Sequence, residues 1–383
     1  MTVARLRPFG ETVFATMSAK AAEFDAVNLG QGFPDSDGPA RMLEIACEQI
    51  RAGNNQYGPG RGMAVLREAV AAQRTRDHQV TYDPGAEVLV TVGATEAISA
   101  AVLGLVEPGS EVIVLEPCYD AYAAAIALAG AQRVAVPLVP DGATWTVDVD
   151  AVRAAVTKRT SMIIVNSPHN PTGSVFSREV LAGLAAVCVE RDLLVLSDEV
   201  YENLLFDGRA HTALAALPGM FERTVTVSSA AKSWNVTGWK TGWALAPAPL
   251  LDAVLKAKQF MSYVGATPFQ PAVAHALNEE SEWLADMVAE LAEGRDLLAA
   301  GLRDAGLQVH DTHGTYFVVA DIAGLGENDG VEFCLGLPGR IGVAAIPVQV
   351  FCDDPGPWRT KVRFAFGKRH DTLRLGVEKL QSL

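Results

Sequence analysis

The chain has 383 residues, 49% of them apolar, and a formal net charge of −14. That supplies a sizeable core and suits a large α/β body with a smaller partner. The acidic balance argues against a nucleic-acid phosphate backbone or an anionic membrane as partner, and no apolar run is long enough to span a bilayer.

Residues 1–10 contain no apolar h-region, so no signal peptide is expected. Cys47, Cys118, Cys188, Cys334 and Cys352 are scattered without a CxxC pair and read as reduced thiols of a cytoplasmic protein. The first 35 residues, Gly/Pro-rich near Gly30–Pro39, are expected to pack with the smaller domain. From Glu87 to Pro247 short β-branched runs alternate with helical patterns. Strands are expected at Val88–Val92, Val112–Leu115, Met162–Val165, Leu193–Leu196 and Val225–Val227. Helices are expected at Thr95–Val106, Tyr119–Ala129 and Arg178–Arg191. Continuous apolar strands between helices indicate βαβ units around a mostly parallel sheet covered on both faces. After Pro268 one long helical text runs over Gln270–Ala305, followed by strand-like pieces at Tyr316–Val319, Ile341–Ile346 and Val362–Phe366. The expected division is an arm and part of the small domain over 1–45, a large domain over 46–275 and an α+β small domain over 276–383.

Ligands of such sheets sit outside the carboxyl ends of the strands, and four groups follow strands there. Gly93-Ala94-Thr95-Glu96 opens a helix whose free N–H groups suit a phosphate, although many βα turns look alike. Asn170-Pro171-Thr172-Gly173 reads in isolation as a plain turn. Asp198 ends a strand, with Tyr201 three residues on; alone it reads as a helix cap before a metal ligand. Lys232 lies in Ser228–Trp243, read as strand, loop and a further strand entering at Trp243. A lone lysine is usually a snorkelling surface residue. Burial at a strand end instead lowers its pKa and makes it an amine nucleophile able to form a Schiff base, as with pyridoxal phosphate (PLP). PLP needs a carboxylate for its ring nitrogen, donors for its phenolic oxygen, and a helix N-terminus, hydroxyl and cation for its phosphate. Asp198, Asn170, Tyr201, Ser229 and Lys240 are of those types, and Tyr119 could stack on the ring. Metal binding competes poorly: His310 and His313 form the only close pair and read as surface residues.

The chain resembles the fold-type I, PLP-dependent aminotransferases of class I/II along essentially its whole length. The likeness rests on Asn28–Pro34, Asn55–Tyr57, Thr91–Glu96, Glu116–Tyr119, Ser167–Gly173, Ser197–Tyr201, the Lys232 segment and Val362–Phe366. Within that family it is similar to kynurenine aminotransferase/glutamine transaminase K-type enzymes. It is closer to the succinyldiaminopimelate aminotransferases of lysine biosynthesis, through Val27–Pro34, Leu103–Ser110 and Gln259–Gly265. The resemblance implies that Lys232 is the Schiff-base lysine and proton shuttle and that Asp198 pairs with the ring nitrogen. Asn170 and Tyr201 would bond the phenolic oxygen, and Tyr119 would stack on the ring. Gly93, Ala94, Thr95, Ser229 and Lys240 would hold the phosphate, with Tyr57 reaching it from a second subunit. Arg363 would grip the substrate α-carboxylate, with Gly32, Asn170 and Phe14 beside it. Lys240 stands where some members carry Arg, which keeps the charge and loses the fork. Arg61 is a candidate for a distal carboxylate.

The resemblance therefore implies a homodimeric cytoplasmic enzyme moving an amino group from N-succinyl-LL-2,6-diaminopimelate to 2-oxoglutarate in a ping-pong cycle. The alternative is a kynurenine, methionine or glutamine aminotransferase with cysteine-S-conjugate β-lyase side activity. A PLP-sensing regulator is the rival of another class; it would carry a DNA-binding domain, for which the acidic balance speaks poorly.

Overall fold

Seven strands form the main sheet of the computed structural model, which describes residues 2–383; Met1, at the head of the arm expected over 1–45, lies outside them. In chain order they are β1 (Val88–Val92), β2 (Glu111–Glu116), β3 (Gln132–Pro137), β4 (Thr160–Asn166), β5 (Leu194–Asp198), β6 (Thr224–Ser229) and β7 (Thr241–Leu245). Their spatial order is β1-β7-β6-β5-β4-β2-β3. Only β7 runs against its neighbours, β1 and β6; the remaining pairs are parallel. β2 and β6 are buried along their whole length. That is why their text is continuous rather than alternating: helices cover both faces, so both side-chain directions meet apolar neighbours. One face packs on the helices Gly93–Leu105, Asp120–Leu128 and Ala248–Lys258, with Leu89, Val114, Ile164 and Val225 at the centre. The other packs on the helix Arg178–Glu190, around Ile113, Ile163, Leu184 and Val195. Ser177 starts that helix by accepting a hydrogen bond from Val180 N–H.

The second sheet has four antiparallel strands: β8 (Gln308–Val309), β9 (Phe317–Asp321), β10 (Ile346–Pro347) and β11 (Lys361–Ala365), in the order β8-β9-β11-β10. The N-terminal segment packs beside this sheet through a separate two-stranded pairing. Val27–Asn28 pairs in parallel with Val343–Ala344, and Met17 and Leu29 share a core with Val318, Phe364 and Leu373.

Several expected elements differ. The helical text over Gln270–Ala305 is two helices, Gln270–Glu279 and Ser281–Asp304, because Glu280 leaves helical geometry at ψ 31 after closing the first helix onto the Ala276 carbonyl. The first of them crosses the 275/276 boundary and packs on the helix Ala64–His78. The strand expected over Ile341–Ile346 is interrupted. Ile341 ends the helix Gly330–Ile341, Gly342 turns the chain at φ 71, and the two short strands that follow join different partners. The loop expected around Lys232 contains a one-turn helix, Ala230–Ser233, and β7 begins at Thr241 rather than Trp243. His310 is no surface residue: its ring lies 4.3 Å from that of Trp145, and burial holds its pKa down. His313 is half-buried beside Arg209.

β7 crosses the opening turn of the helix Gly93–Leu105 so closely that a side chain on Gly242 would lie 2.6 Å from the Gly93 carbonyl carbon and 2.8 Å from Ala94 N. Backbone cannot give way as a flexible side chain can. Gly242→Ala is therefore expected to cost roughly 1–3 kcal/mol by overpacking, read as a lower urea midpoint. An unchanged midpoint would show that β7 and the helix can separate freely.

Candidate active site

The carboxyl ends of β1, β2, β4, β5 and β6 open into one cavity of about 310 Å³, closed on the far side by Gln31–Phe33, Phe317 and Arg363. Every residue expected at the site lines it except Tyr57 and Arg61.

Asp198 is the last residue of β5 and is buried. Its Oδ2 accepts a hydrogen bond from Tyr122 Oη at 2.5 Å and its Oδ1 one from Val200 N–H at 3.3 Å. Burial pushes the carboxyl up to about 6, against the pull of those two donors. Asn166 faces Asp198 in the β4–β5 register. Its Nδ2 donates to the Asp198 carbonyl at 2.9 Å, and its Oδ1 accepts from Asn170 N–H at 2.8 Å. Sequence reasoning missed both supports. Tyr122 stands three residues after Tyr119 at the start of a helix, so both can face one side. Asn166 ends an apolar strand, the same signal that singled out Asp198.

Lys232 is half-buried on its one-turn helix, a correction to the buried strand-end lysine expected. Its Nζ donates to the Gly32 carbonyl at 3.5 Å and lies 5.9 and 5.7 Å from the ring centres of Tyr201 and Tyr316. Tyr316 Oη donates to the same carbonyl. A Cβ at Gly32 would lie 2.8 Å from Phe317 Cζ, so a side chain there would displace the ring. Nothing marks Tyr316 or Phe317 in the sequence beyond the strand expected over Tyr316–Val319.

Arg363 lies in β11, about 1% exposed. Its Nη1 donates to Asn170 Oδ1 at 2.8 Å and its Nη2 to the Gly30 carbonyl at 3.1 Å. The guanidinium carbon is 3.9 Å from the ring centre of Phe317 and 5.4 Å from that of Phe14. Burial lowers its pKa to about 10, so it stays cationic at neutral pH. Its Nε finds no protein acceptor, and among the described residues no carboxylate forms an ion pair with it. A buried cation held only by neutral groups suits an anionic ligand.

At the other end the helix Gly93–Leu105 points its first turn, Gly93-Ala94-Thr95, into the cavity beside Ser229. Lys240, held at φ 52, lies over it; a Cβ on Gly93 would sit 3.2 Å from its Nζ. Tyr119 lines the wall between this anion-binding end and Arg363. A neighbouring cavity of about 740 Å³ shares Phe14 and Tyr119 with the first.

Two expected residues lie elsewhere. Tyr57 is 82% exposed and meets Tyr263 edge-on at 5.6 Å. Arg61 does not reach the cavity: its guanidinium is taken by Asp252 and by the Ala86 carbonyl at 3.1 Å. Its guanidinium is engaged at the surface, away from the cavity lining.

Pyridoxal phosphate fits these groups. A cation, a hydroxyl and free helical N–H groups line the same cavity as the buried Asp198 carboxylate and the Lys232 amine. The fold and this charge pattern define a fold-type I, PLP-dependent transferase. The model of the aminotransferase class I and II family matches residues 25–380, and the chain belongs to that family. It is 56% identical to "Probable N-succinyldiaminopimelate aminotransferase DapC" of Mycobacterium tuberculosis, over 100% of this chain and 98% of the relative. It is 39% identical to the methionine aminotransferase of Escherichia coli, over 99% and 97%. The solved N-succinyldiaminopimelate aminotransferase of Mycobacterium tuberculosis superposes with a TM-score of 0.98 at 57% identity, covering 100% of this chain and 99% of that one. The chain is an aminotransferase that uses PLP to exchange an amino group between an amino acid and a 2-oxo acid.

Asp198 sets a pH dependence of the cofactor-free fold. Its carboxyl takes up a proton near pH 6 when folded and near 3.8 when unfolded. Between those values the native state binds the extra proton, so stability falls as pH rises through about 6. The full difference is roughly 2–3 kcal/mol. Cofactor-free Asp198→Asn is expected to exceed the parent in urea stability at pH 8, with the gap closing toward pH 4. A parent more stable than the variant at pH 8 would contradict the buried, uncompensated carboxylate.

Proposed function

We propose that this aminotransferase takes N-succinyl-LL-2,6-diaminopimelate as donor and 2-oxoglutarate as acceptor, within lysine biosynthesis in the cytoplasm. The observation that carries the reading is the 56% identity, end to end, with a relative named for that donor. The 740 Å³ cavity beyond Phe14 and Tyr119 supports it by giving a long side chain room. No helix among the described residues is long and apolar enough to cross a membrane.

In this reading Arg363 binds the donor's α-carboxylate, with Asn170, Gly32 and Phe14 fixing its orientation. The group held between the Gly93–Thr95 turn and Asp198 supplies, when bound, an electron sink for the charge left on the substrate α-carbon. Ser229, Lys240 and the Gly93-Ala94-Thr95 N–H groups would hold its phosphate. Asn170 and Tyr201 would hold its phenolic oxygen and Tyr119 would cover its ring. Asp198, kept in place by Tyr122, would keep a proton on the ring nitrogen. Lys232 would anchor the cofactor, and its amine would move the proton of the substrate α-carbon. Gly32 and Tyr316 face that amine and hold it over the site. The two-domain division belongs to this reading, with its second seam at Glu280, between the helices Gln270–Glu279 and Ser281–Asp304.

The same reading makes the working unit a homodimer. Tyr57, Phe260, Met261 and Tyr263 expose a continuous aromatic and apolar surface that a second copy would cover. Lys258 Nζ ties the two loops together, donating to the Gly60 carbonyl at 3.3 Å and to the Tyr263 carbonyl. Tyr57 would then reach the phosphate of the neighbouring subunit.

Two measurements test these assignments. With 2-oxoglutarate as acceptor, kcat/KM for the succinylated donor is expected to exceed those for methionine, kynurenine and glutamine by roughly tenfold or more, a difference of about 1.4 kcal/mol in transition-state binding. A preference for methionine or kynurenine would overturn the donor and leave transamination standing. Mixing Lys232→Ala with Tyr57→Phe chains is expected to recover activity, since the heterodimer has one site free of both changes. Verified heterodimers without recovery would place Tyr57 in its own chain's chemistry or in none.

A further inference from the structure

Behind Asp198, on the side away from the cavity, lies a buried charge cluster that the reaction does not use. Arg74, on the helix Ala64–His78, is about 1% exposed. Its Nη1 lies 2.7 Å from Glu199 Oε2 and 3.0 Å from Glu202 Oε2, and both carboxylates are buried. His211 Nε2 approaches Glu199 Oε2 at 3.0 Å and His78 Nε2 approaches Glu202 Oε2 at 2.8 Å. The remaining oxygens are filled from the sheet: Ser197 Oγ donates to Glu199 Oε1 at 2.7 Å and Ser228 Oγ to Glu202 Oε1 at 2.6 Å.

The placement follows from chain geometry. Successive side chains along a strand point to opposite faces. Asp198 therefore faces the cavity while Ser197 and Glu199 face the Ala64–His78 helix. The chain then turns, with Glu202 N–H donating to the Glu199 carbonyl at 2.9 Å and Leu204 N–H to the Tyr201 carbonyl at 2.8 Å. One turn thus presents Asp198 and Tyr201 to the cavity and Glu199 and Glu202 to Arg74. Burial opposes ionisation of both glutamates. His211 and Arg74 overcome it at Glu199, held well below the usual carboxylate range; Arg74 and His78 overcome it at Glu202, held at about 2. Both acids are charged, and one guanidinium answers both.

We propose that Arg74 is a positioning residue for transamination: by gripping Glu199 and Glu202 together it fixes the turn that carries Asp198 and Tyr201 against the cofactor. The proposal rests on the reading that these two residues contact the cofactor. Arg74 touches neither the cavity nor the substrate, so its loss should act on the cofactor and not on the donor. The Glu199 charge also raises the Asp198 carboxyl, so the balance of Arg74, Glu199, Glu202, His78 and His211 reaches the ring nitrogen's partner, which Tyr122 and Lys232 face from the other side.

The test uses cofactor-loaded enzyme and three variants. Arg74→Leu leaves two buried carboxylates with only His78 and His211. Arg74→Lys keeps the charge but not the reach to both acids. Arg74→Met/Glu199→Gln/Glu202→Gln removes the clamp without stranding a charge, a kind of replacement that buried ion triads tolerate. For the leucine and triple variants, where they fold, the expected result is a kcat reduced by roughly tenfold or more, since misplacement of about 1 Å suffices for that. KM for the donor should stay within about twofold, cofactor retention by fluorescence titration should weaken by roughly tenfold, and the pH midpoint of the bound cofactor's absorbance should move by about half a unit or more. Arg74→Lys should recover part of each loss. If Arg74→Leu does not fold, the lysine and triple variants carry the same test. Parental kcat, retention and absorbance midpoint in folded Arg74→Lys and triple variants would overturn the proposal. Asp198→Asn serves as the control: near-parental turnover there would instead overturn the assignment of Asp198 itself.

Discussion

A carboxylate and a guanidinium are buried in one cavity without being paired to each other. Asp198 is held by Tyr122 and Val200, Arg363 by Asn170 and Gly30. An ion pair between them would relieve much of the desolvation each suffers, and the fold keeps them apart instead. Burial pushes Asp198 up to about 6 and Arg363 down to about 10, the signature of charges waiting for a partner of opposite sign. An aminotransferase needs this arrangement, since one end must keep a ring nitrogen protonated and the other must seize a carboxylate.

The separation is a product of architecture. Asp198 comes from the carboxyl edge of the main sheet and Arg363 from the middle of the second sheet. The arm bridges them. Gly30 and Gly32 turn their carbonyls onto Arg363 and Tyr316, from the second sheet and the residue before its strand, and onto Lys232, from the helix that follows β6. Small residues make these approaches possible at Gly32 and at Gly242, where any Cβ would strike a ring or a backbone. The substrate side of the cavity is therefore assembled from segments distant in sequence, and a shift of one sheet against the other would open it.

The two faces of the sheet treat charge differently. On the cavity face charges stand unpaired and poised. On the opposite face Arg74 is paired with Glu199 and Glu202, whose other oxygens accept from Ser197 and Ser228. Buried ion clusters add little net stability, and fixing geometry is the role we propose for this one. Here the fixed element is the turn after β5, the point at which the backbone passes from sheet to site.

The βαβ body, the parallel strands buried on both faces and the residue types at their carboxyl ends were legible in the sequence. Those signals are local: apolar runs of strand length, helical periodicity, and a polar residue where each run stops. Gly93, Asp198 and Lys232 were legible for that reason, and the ordered motifs carried the family. The Lys232 turn, the split helix at Glu280 and the broken Ile341–Ile346 strand were not, because short helices and strand ends are settled by tertiary partners rather than by propensity. Tertiary structure alone decided that Tyr122 and Asn166 brace Asp198, that Phe317 and Phe14 flank Arg363, and that Arg61 belongs to Asp252. Each is a contact between side chains whose separation in space no periodicity encodes, and the distribution of buried charge follows from which groups the fold leaves within hydrogen-bonding reach.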